Sequence, residues 1–365
     1  MEFLESIILP QSAQRIELLS YLTTISYMIL LPYLALLFGS TFLSCMFNAR
    51  GKSYQNTHYI KLSKDLISLP AFNIYASLGI VLLPIFTLMF AYSQIVQVSA
   101  LLVFDNLFYT VFLLVPAIAL VYIFKQSFEL QEISNLVNKT KEESSNRNAE
   151  FSIYNKKIFM ALTNSSRMAV YLLFASSYIL IAAIKLMSDT SSLAETTTLS
   201  DMLFCESTIL SFLYFLSVSF ALTSVVALFV YFKPNSYYEV SNRKYADTIK
   251  RFFLNTAMIF VLVQPIVYAI DVMLIPKAAL SSSIFGISAG VLAILLIISS
   301  LLYHMIKYEE LKYRGIVLLL FIGLFALLAA KDQAAFNTSS QLQVKKVIKA
   351  YEAKTVEVKE QLGLE

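Results

Sequence analysis

The chain has 365 residues, of which 58% are hydrophobic and 14% charged, and its mean hydropathy is +0.69. Soluble globular domains carry about 25% charged residues, so this composition indicates a protein whose solvent is lipid. The net charge of +4 is spread through the segments between apolar runs. Membrane orientation accounts for such a distribution, and we expect no nucleic-acid partner.

The apolar runs predict an all-α, polytopic membrane helix bundle. A helix needs roughly 20 apolar residues to cross a bilayer core. The last run is the shortest, so seven spans is the alternative to eight. The predicted spans are Tyr21–Phe47, Leu66–Ile95, Val98–Phe124, Met168–Met187, Leu203–Phe232, Phe252–Ile275, Leu280–His304 and Ile316–Ala330.

Three segments make up the predicted organisation. Residues 1–18 are an N-terminal lead, residues 19–330 are the bundle with a long polar loop at 125–167, and residues 331–365 are an amphipathic helical tail. Most of the 28 Lys and Arg residues fall in alternate loops. Because cytoplasmic loops are enriched in these residues, we expect both termini outside. This predicts a multi-pass membrane protein with its tail outside.

No motif of soluble-enzyme chemistry is present. The chain has no Cys-x-x-Cys-His for c-type haem, no glycine-rich phosphate loop and no nucleophile elbow. Its two histidines are His58, in a loop, and His304, at the end of a span. An intramembrane haem usually takes histidine or methionine ligands, so these positions favour interfacial polar residues over a haem site.

Polar residues inside the spans are better candidates for a site, because charge in hydrocarbon is costly and needs a partner or water. Asp105 is the deepest, about seven residues or roughly 10 Å inside the third run. Glu206, Asp271 and Lys185 lie nearer the outer ends, and Gln264 precedes a proline that predicts a kink. Two interpretations are open. One is a proton- or quinol-linked site with Asp105 as proton carrier. The other is interfacial anchoring plus one satisfied buried acid.

Three stretches resemble subunit I of the cytochrome bd quinol oxidases. TTISYMILLPYLALLFG (23–39) looks like that family's Thr-Ala-x-Tyr-His-x-Leu-Phe-x-Pro-Leu segment. FLYFLSVSFALTSVVALFVYF (212–232) is similar to the haem-bearing fifth helix, and NRKYADTIKRFFLNTAMIFVL (242–262) resembles the following loop and sixth helix. The resemblance covers much of residues 15–270. It implies a bd-like bundle in a bacterial inner membrane, with its N-terminus outside and its C-terminal tail in the periplasm.

The departures from that family concern its cofactors. Tyr27 and Tyr214 stand where the family has two axial histidines, and Gly286 or a neighbouring apolar residue stands near its axial methionine. Asp105 falls near a carboxylate of the family's third helix. The family's long quinol-binding loop is reduced to a few residues around Lys277. The resemblance therefore implies a chain without haem. If haem b or a quinone binds, Tyr27, Tyr214 and Asp105 are the candidate cofactor-binding residues.

The resemblance implies a haem-free, bd-like membrane subunit of a bacterial respiratory or electron-transfer complex that scaffolds or anchors a periplasmic redox partner. Alone it would be no enzyme, but a non-catalytic subunit of an oxidoreductase. Its expected partners are membrane lipids, other membrane subunits and a separate periplasmic c-type cytochrome. Two alternatives stay open. One is a quinol-oxidising or haem-binding electron-transfer protein that uses Asp105, Tyr27 and Tyr214. The other is a secondary transporter with Asp105, Asp271 and Gln264 along a polar path.

Overall fold

The computed structural model describes residues 13–96, 101–140, 148–188, 202–232, 243–275 and 280–339, together with Lys349. Within these residues the chain forms nine helices, which we label α1 to α9, and no strands. Their bounds are α1 Ala13–Ser53, α2 Thr57–Ser68, α3 Ile74–Val96, α4 Leu101–Thr140, α5 Asn148–Ser188, α6 Glu206–Tyr231, α7 Arg243–Met273, α8 Ser282–Lys307 and α9 Arg314–Ser339.

Eight of the helices in the described part of the chain, all except α2, are long and apolar enough to cross a membrane. This confirms the predicted all-α bundle of eight spans. The last and shortest apolar run lies in α9, which is long and apolar enough to cross a membrane at Arg314–Thr338, and this favours eight spans over seven. A helix suits lipid because all its backbone N–H and C=O groups bond within the segment.

Consecutive spans run in opposite directions, which gives the bundle two distinct ends. α1, α4, α6 and α8 begin at one end, and α3, α5, α7 and α9 finish there. We call this the upper end and the opposite one the lower end. The lower end carries many of the basic side chains, some of them in exposed ion pairs such as Arg251 with Glu309, where Nη2 and Oε1 are 2.9 Å apart.

The short helix α2 lies at the lower end and changes the start of the second span. That span begins at Ile74 rather than at the predicted Leu66. Pro70 has no backbone N–H to donate, and the helix is interrupted there. The next helix starts after Asn73, whose Oδ1 accepts a hydrogen bond at 2.9 Å from the N–H two residues further on. The buried face of α2 packs against α1.

The long polar segment 125–167 is mostly helical. α4 continues to Thr140 and α5 starts at Asn148, so the flanking helices extend into it as predicted, and residues 141–147 lie outside the described part. α4 makes its main contacts with α5, α3 and α2. α1, in contrast, packs on α2, α3, α5, α6 and α9. The third span is therefore not a main neighbour of the first or the fifth.

α1 and α6 approach each other closely at Gly39. A Cβ atom at Gly39 would lie 2.3 Å from Thr223 Oγ1 and 2.5 Å from the carbonyl oxygen of Ser219. Small residues at helix interfaces let backbones come together in membranes, where packing replaces the hydrophobic effect as the driving force. Glycine at this position is what permits the contact between the first and fifth spans.

The last span continues beyond its predicted end at Ala330. α9 runs to Ser339, so residues 331–339 belong to the bundle and not to an outer tail. Gln333 ties this extension to α1, because its Oε1 accepts a hydrogen bond from Thr23 Oγ1 at 2.7 Å and its Nε2 donates to Ser20 Oγ at 2.6 Å. The predicted tail helix beyond Ser339 lies outside the described residues, apart from Lys349.

Candidate functional site

A cluster of ionised side chains is buried near the upper end of the bundle. At its centre is Asp271, in the last turn of α7 and 4% exposed. Its Oδ1 accepts hydrogen bonds from Lys185 Nζ of α5 at 2.8 Å and from Ser211 Oγ of α6 at 2.7 Å. Its Oδ2 accepts one from Lys331 Nζ of α9 at 3.2 Å. One carboxylate thus joins four spans.

The cluster is balanced in charge. Lys331 Nζ lies 3.4 Å from Asp332 Oδ1 as well, so two lysines face two aspartates. The same ammonium lies 5.2 Å from the ring centre of Tyr268, within the range of a cation–π contact. An isolated buried charge costs several kcal/mol, and opposite charges with satisfied hydrogen bonds offset that cost. The arrangement lets charged groups sit inside an apolar bundle.

A cavity of about 80 Å³ lies beside the cluster. Apolar side chains of α1, α5, α6 and α9 form most of its wall, and the cluster forms its polar side. Tyr214 of α6 lines it as well. This residue is buried, and its hydroxyl has no hydrogen-bond partner in the protein. A buried hydroxyl without a partner costs about 1–3 kcal/mol, so this group marks a place where a further molecule would be stabilising.

The polar residues of α7 share one helical face. Gln264, Tyr268 and Asp271 are spaced i, i+4 and i+7, and all three are buried. Tyr268 donates its hydroxyl to Ser288 Oγ of α8 at 3.2 Å. The side-chain amide of Gln264 has no hydrogen-bond partner in the protein. The expected bond from this amide to the backbone freed by Pro265 is therefore absent.

The three candidate cofactor residues do not come together. Tyr27 of α1 is hydrogen-bonded through its hydroxyl to that of Tyr92 of α3, and both rings are buried. The ring of Tyr214 packs against Tyr268, with ring centres 5.6 Å apart. Asp105 is exposed on α4, which is not a main neighbour of α1 or α6. The interpretation of Asp105 as a satisfied buried acid is wrong, because its side chain is exposed on α4.

Haem b does not fit these positions. The Tyr27 hydroxyl already has a phenol partner, and the cavity at Tyr214 is about 80 Å³, whereas pockets for organic ligands span about 300–1,000 Å³. Within the described ranges there is also no group of three or more His, Cys, Asp or Glu side chains that could hold a metal ion.

Glu206 takes a local role at the upper end. It is exposed in the first turn of α6, which agrees with the expectation of an interfacial residue. A negative charge near a helix N-terminus interacts favourably with the helix dipole. Lys185, which the sequence also placed at the outer end of a span, instead points to Asp271 and belongs to the cluster.

Sequence reasoning missed four of the six members of the cluster. Lys331 and Asp332 were assigned to the tail because they follow the last apolar run, and Ser211 and Tyr268 look like ordinary span residues. One signal was available. Apolar residues resume directly after the Lys-Asp-Gln triplet at 331–333, which is what a helix that continues through a buried polar site would show.

The pair of Tyr27 and Tyr92 provides a test of the packed interior. Tyr27→Phe should lower the free energy of unfolding by about 1–3 kcal/mol, because the Tyr92 hydroxyl is left buried without a partner. The double variant with Tyr92→Phe should be less destabilised than the sum of the two single variants, since both polar groups are then gone. Unfolding of the detergent-solubilised protein measures these differences, and strictly additive effects would contradict the hydrogen bond.

The comparisons with known proteins supply no relative. No protein-family model, no curated protein and no solved structure matches this chain. The site and the sequence itself are therefore the basis for any functional assignment.

Proposed function

We propose that this chain is a haem-free integral membrane subunit of a bacterial respiratory or electron-transfer complex, which anchors a periplasmic redox partner. The bd-like stretches of the sequence support the kind of complex. The observation that carries the haem-free part is the pairing of Tyr27 with Tyr92 at a position where the resemblance expects an axial ligand. A buried phenol held by another phenol fills that position as packing.

The charged cluster supports an anchoring role. Asp271 holds together α5, α6, α7 and α9, and α9 is the span that leads to the C-terminal segment. An anchor needs its last span fixed in the bundle if the following segment is to hold a partner at a defined place. The Asp271 carboxylate has three donors, which suits a structural joint.

Isolation of the chain from its native membrane tests this function. A tagged chain at native expression level should co-isolate with at least one further membrane subunit and a c-type cytochrome, identified by mass spectrometry. An unrelated multi-pass protein with the same tag is the control for adventitious capture. A chain that purifies as a stable solitary monomer would contradict the anchoring function.

The proposed orientation places the upper end in the periplasm. The basic side chains at the lower end, among them Lys52, Lys125 and Arg314, support this, since cytoplasmic ends are enriched in Lys and Arg. Cys205 is exposed at the upper end, whereas Cys45 is half-buried, with its Sγ 3.6 Å from Ser166 Oγ.

A membrane-impermeant maleimide should therefore label intact spheroplasts at Cys205. The Cys205→Ser variant should lose the label, which shows that Cys45 does not contribute. Labelling that requires inside-out vesicles would contradict the proposed orientation.

A second candidate function is a secondary transporter for protons or small ions. The observation that favours it is the polar face of α7, where Gln264 has no partner and Asp271 is ionically paired inside a span. In proteoliposomes with a pH-sensitive dye inside, a transporter should move protons. Asp271→Asn protein that is shown to be folded by size-exclusion chromatography before reconstitution should not, whereas the exposed Asp105→Asn should. Vesicles that stay as tight as protein-free ones would exclude proton transport.

A further inference from the structure

The cavity beside Asp271 combines features that do not suit an empty space. Its wall is largely apolar, but Tyr214 presents a hydroxyl that has no partner in the protein and is itself more than nine-tenths buried. Purely apolar cavities stay dry, whereas polar groups without partners in a roomy cavity usually hold water. A water molecule needs a cavity of at least about 10–15 Å³ on the same measure, so about 80 Å³ is ample.

Polar partners for water are available around this space. Lys185 and Lys331 each bear three N–H donors, and Lys185 Nζ donates one of its three to Asp271. Tyr214 supplies a hydroxyl that can donate or accept. A bound water commonly makes two to four hydrogen bonds, and these three residues line the same cavity.

The rim of the cavity is partly exposed at the upper end of the bundle. The side chains of Lys185 and Asp332, which line it, are 15% and 17% exposed at the upper end. The side chains of Asp271 and Lys331, deeper in the cluster, are 5% exposed. Exposure therefore falls from the rim of the cluster to its interior.

We propose that the cavity is a water-filled vestibule that enters the bundle from the upper end, passes the Lys185–Asp271–Lys331 cluster and ends at the Tyr214 hydroxyl. Its ligand is water, which hydrogen-bonds to Tyr214 and solvates the ammonium groups. The vestibule would give protons from the aqueous phase access to the interior of a membrane span. This site does not depend on the anchoring function or on a cofactor.

X-ray hydroxyl-radical footprinting of the whole chain in lipid nanodiscs tests this proposal, because radicals form from water next to the side chain that they oxidise. Tyr214 should be oxidised several-fold faster than Tyr27, which is equally a tyrosine in a span, buried, and not part of the cavity lining. Tyr171, exposed in the middle of α5, controls for simple exposure and should react slowly, because lipid covers it.

A second measurement uses a variant that fills the cavity. Val218→Phe adds a larger side chain to its wall and should lower the oxidation rate of Tyr214 towards that of Tyr27. The wild-type comparison decides the matter even if this variant does not fold. Oxidation of Tyr214 at the rate of Tyr27 would show a dry cavity and overturn the proposal.

Discussion

Replacement of Asp271 by asparagine should be among the most damaging single substitutions in this chain. The carboxylate partners two lysines, and one of them, Lys331, is buried like Asp271 itself. Removing one partner of a buried ion pair costs about 3–5 kcal/mol, because the remaining charge is left without compensation in a medium of low dielectric. We expect a large drop in the apparent melting temperature of the solubilised protein, measured by size-exclusion chromatography after heating.

Two further variants show whether the loss of the Asp271 charge causes the destabilisation. Asp105→Asn makes the same substitution at an exposed position of α4 and should change stability by at most about 0.5 kcal/mol. The double variant Asp271→Asn with Lys331→Met removes one charge of each sign, and we expect it to be more stable than Asp271→Asn alone. Equal stability of Asp271→Asn and the wild type would contradict the buried cluster.

The second large effect is expected at Gly39. Gly39→Ala adds a single methyl group, but that group would lie 2.3 Å from Thr223 Oγ1 and 2.5 Å from a backbone oxygen of α6. A rotation of Thr223 could relieve the first contact, whereas the second requires α1 and α6 to separate. Overpacking of this kind costs about 1–3 kcal/mol or more. We expect a clear loss of thermal stability, and Gly39→Val should lose more than Gly39→Ala.

Gly286 provides the matched control for this prediction. It is also a helical glycine in a span, but a Cβ atom there would meet nothing within 4 Å. Gly286→Ala should be neutral, or stabilising by about 0.5–1 kcal/mol, because alanine is the better helix former. If both glycine variants behaved alike, the close approach of α1 and α6 at Gly39 would be refuted.

The length of the apolar runs predicted the number and order of the spans well, because a bilayer sets a minimum length that few apolar segments of soluble proteins reach. Boundaries were less predictable. Leu66 and Ile67 are apolar enough to belong to a span, yet they lie on the buried face of α2, and only Pro70 and Asn73 mark where the next helix starts. At the other end of the chain, the last span was predicted to end at Ala330 because the next residue, Lys331, is charged.

The site was less predictable than the spans for a physical reason. Lipid is as apolar as the protein interior, so the faces of a membrane helix differ little in hydrophobicity, and sequence gives its rotation only weakly. Depth along the helix singled out Asp105, but the rotation of α4 about its axis places this side chain on the exposed surface of the bundle. Asp271 was one of several candidates, and its two lysine partners come from spans far away in sequence, a pairing that one sequence does not reveal.

The combination of a packed interior and a charged joint has a functional consequence. Because Tyr27 bonds to Tyr92, which in turn packs against Phe336 with ring centres 5.9 Å apart, α1, α3 and α9 are joined by aromatic contacts at the upper end. The ion pair of Lys331 with Asp271 joins α9 to α7. The last span is thus held on two sides, as the anchoring role that we propose would require.

The absorbance spectrum of the purified, isolated chain tests the haem-free bundle most directly. We expect no Soret band and no stoichiometric iron in the chain itself, and a Soret band only in fractions that also contain a separate cytochrome subunit. The spectrum should be the same for the wild type and for Tyr27→Phe. A Soret band that stays with the isolated chain at one haem per chain, and that changes in Tyr27→Phe or Tyr214→Phe, would contradict the proposed function.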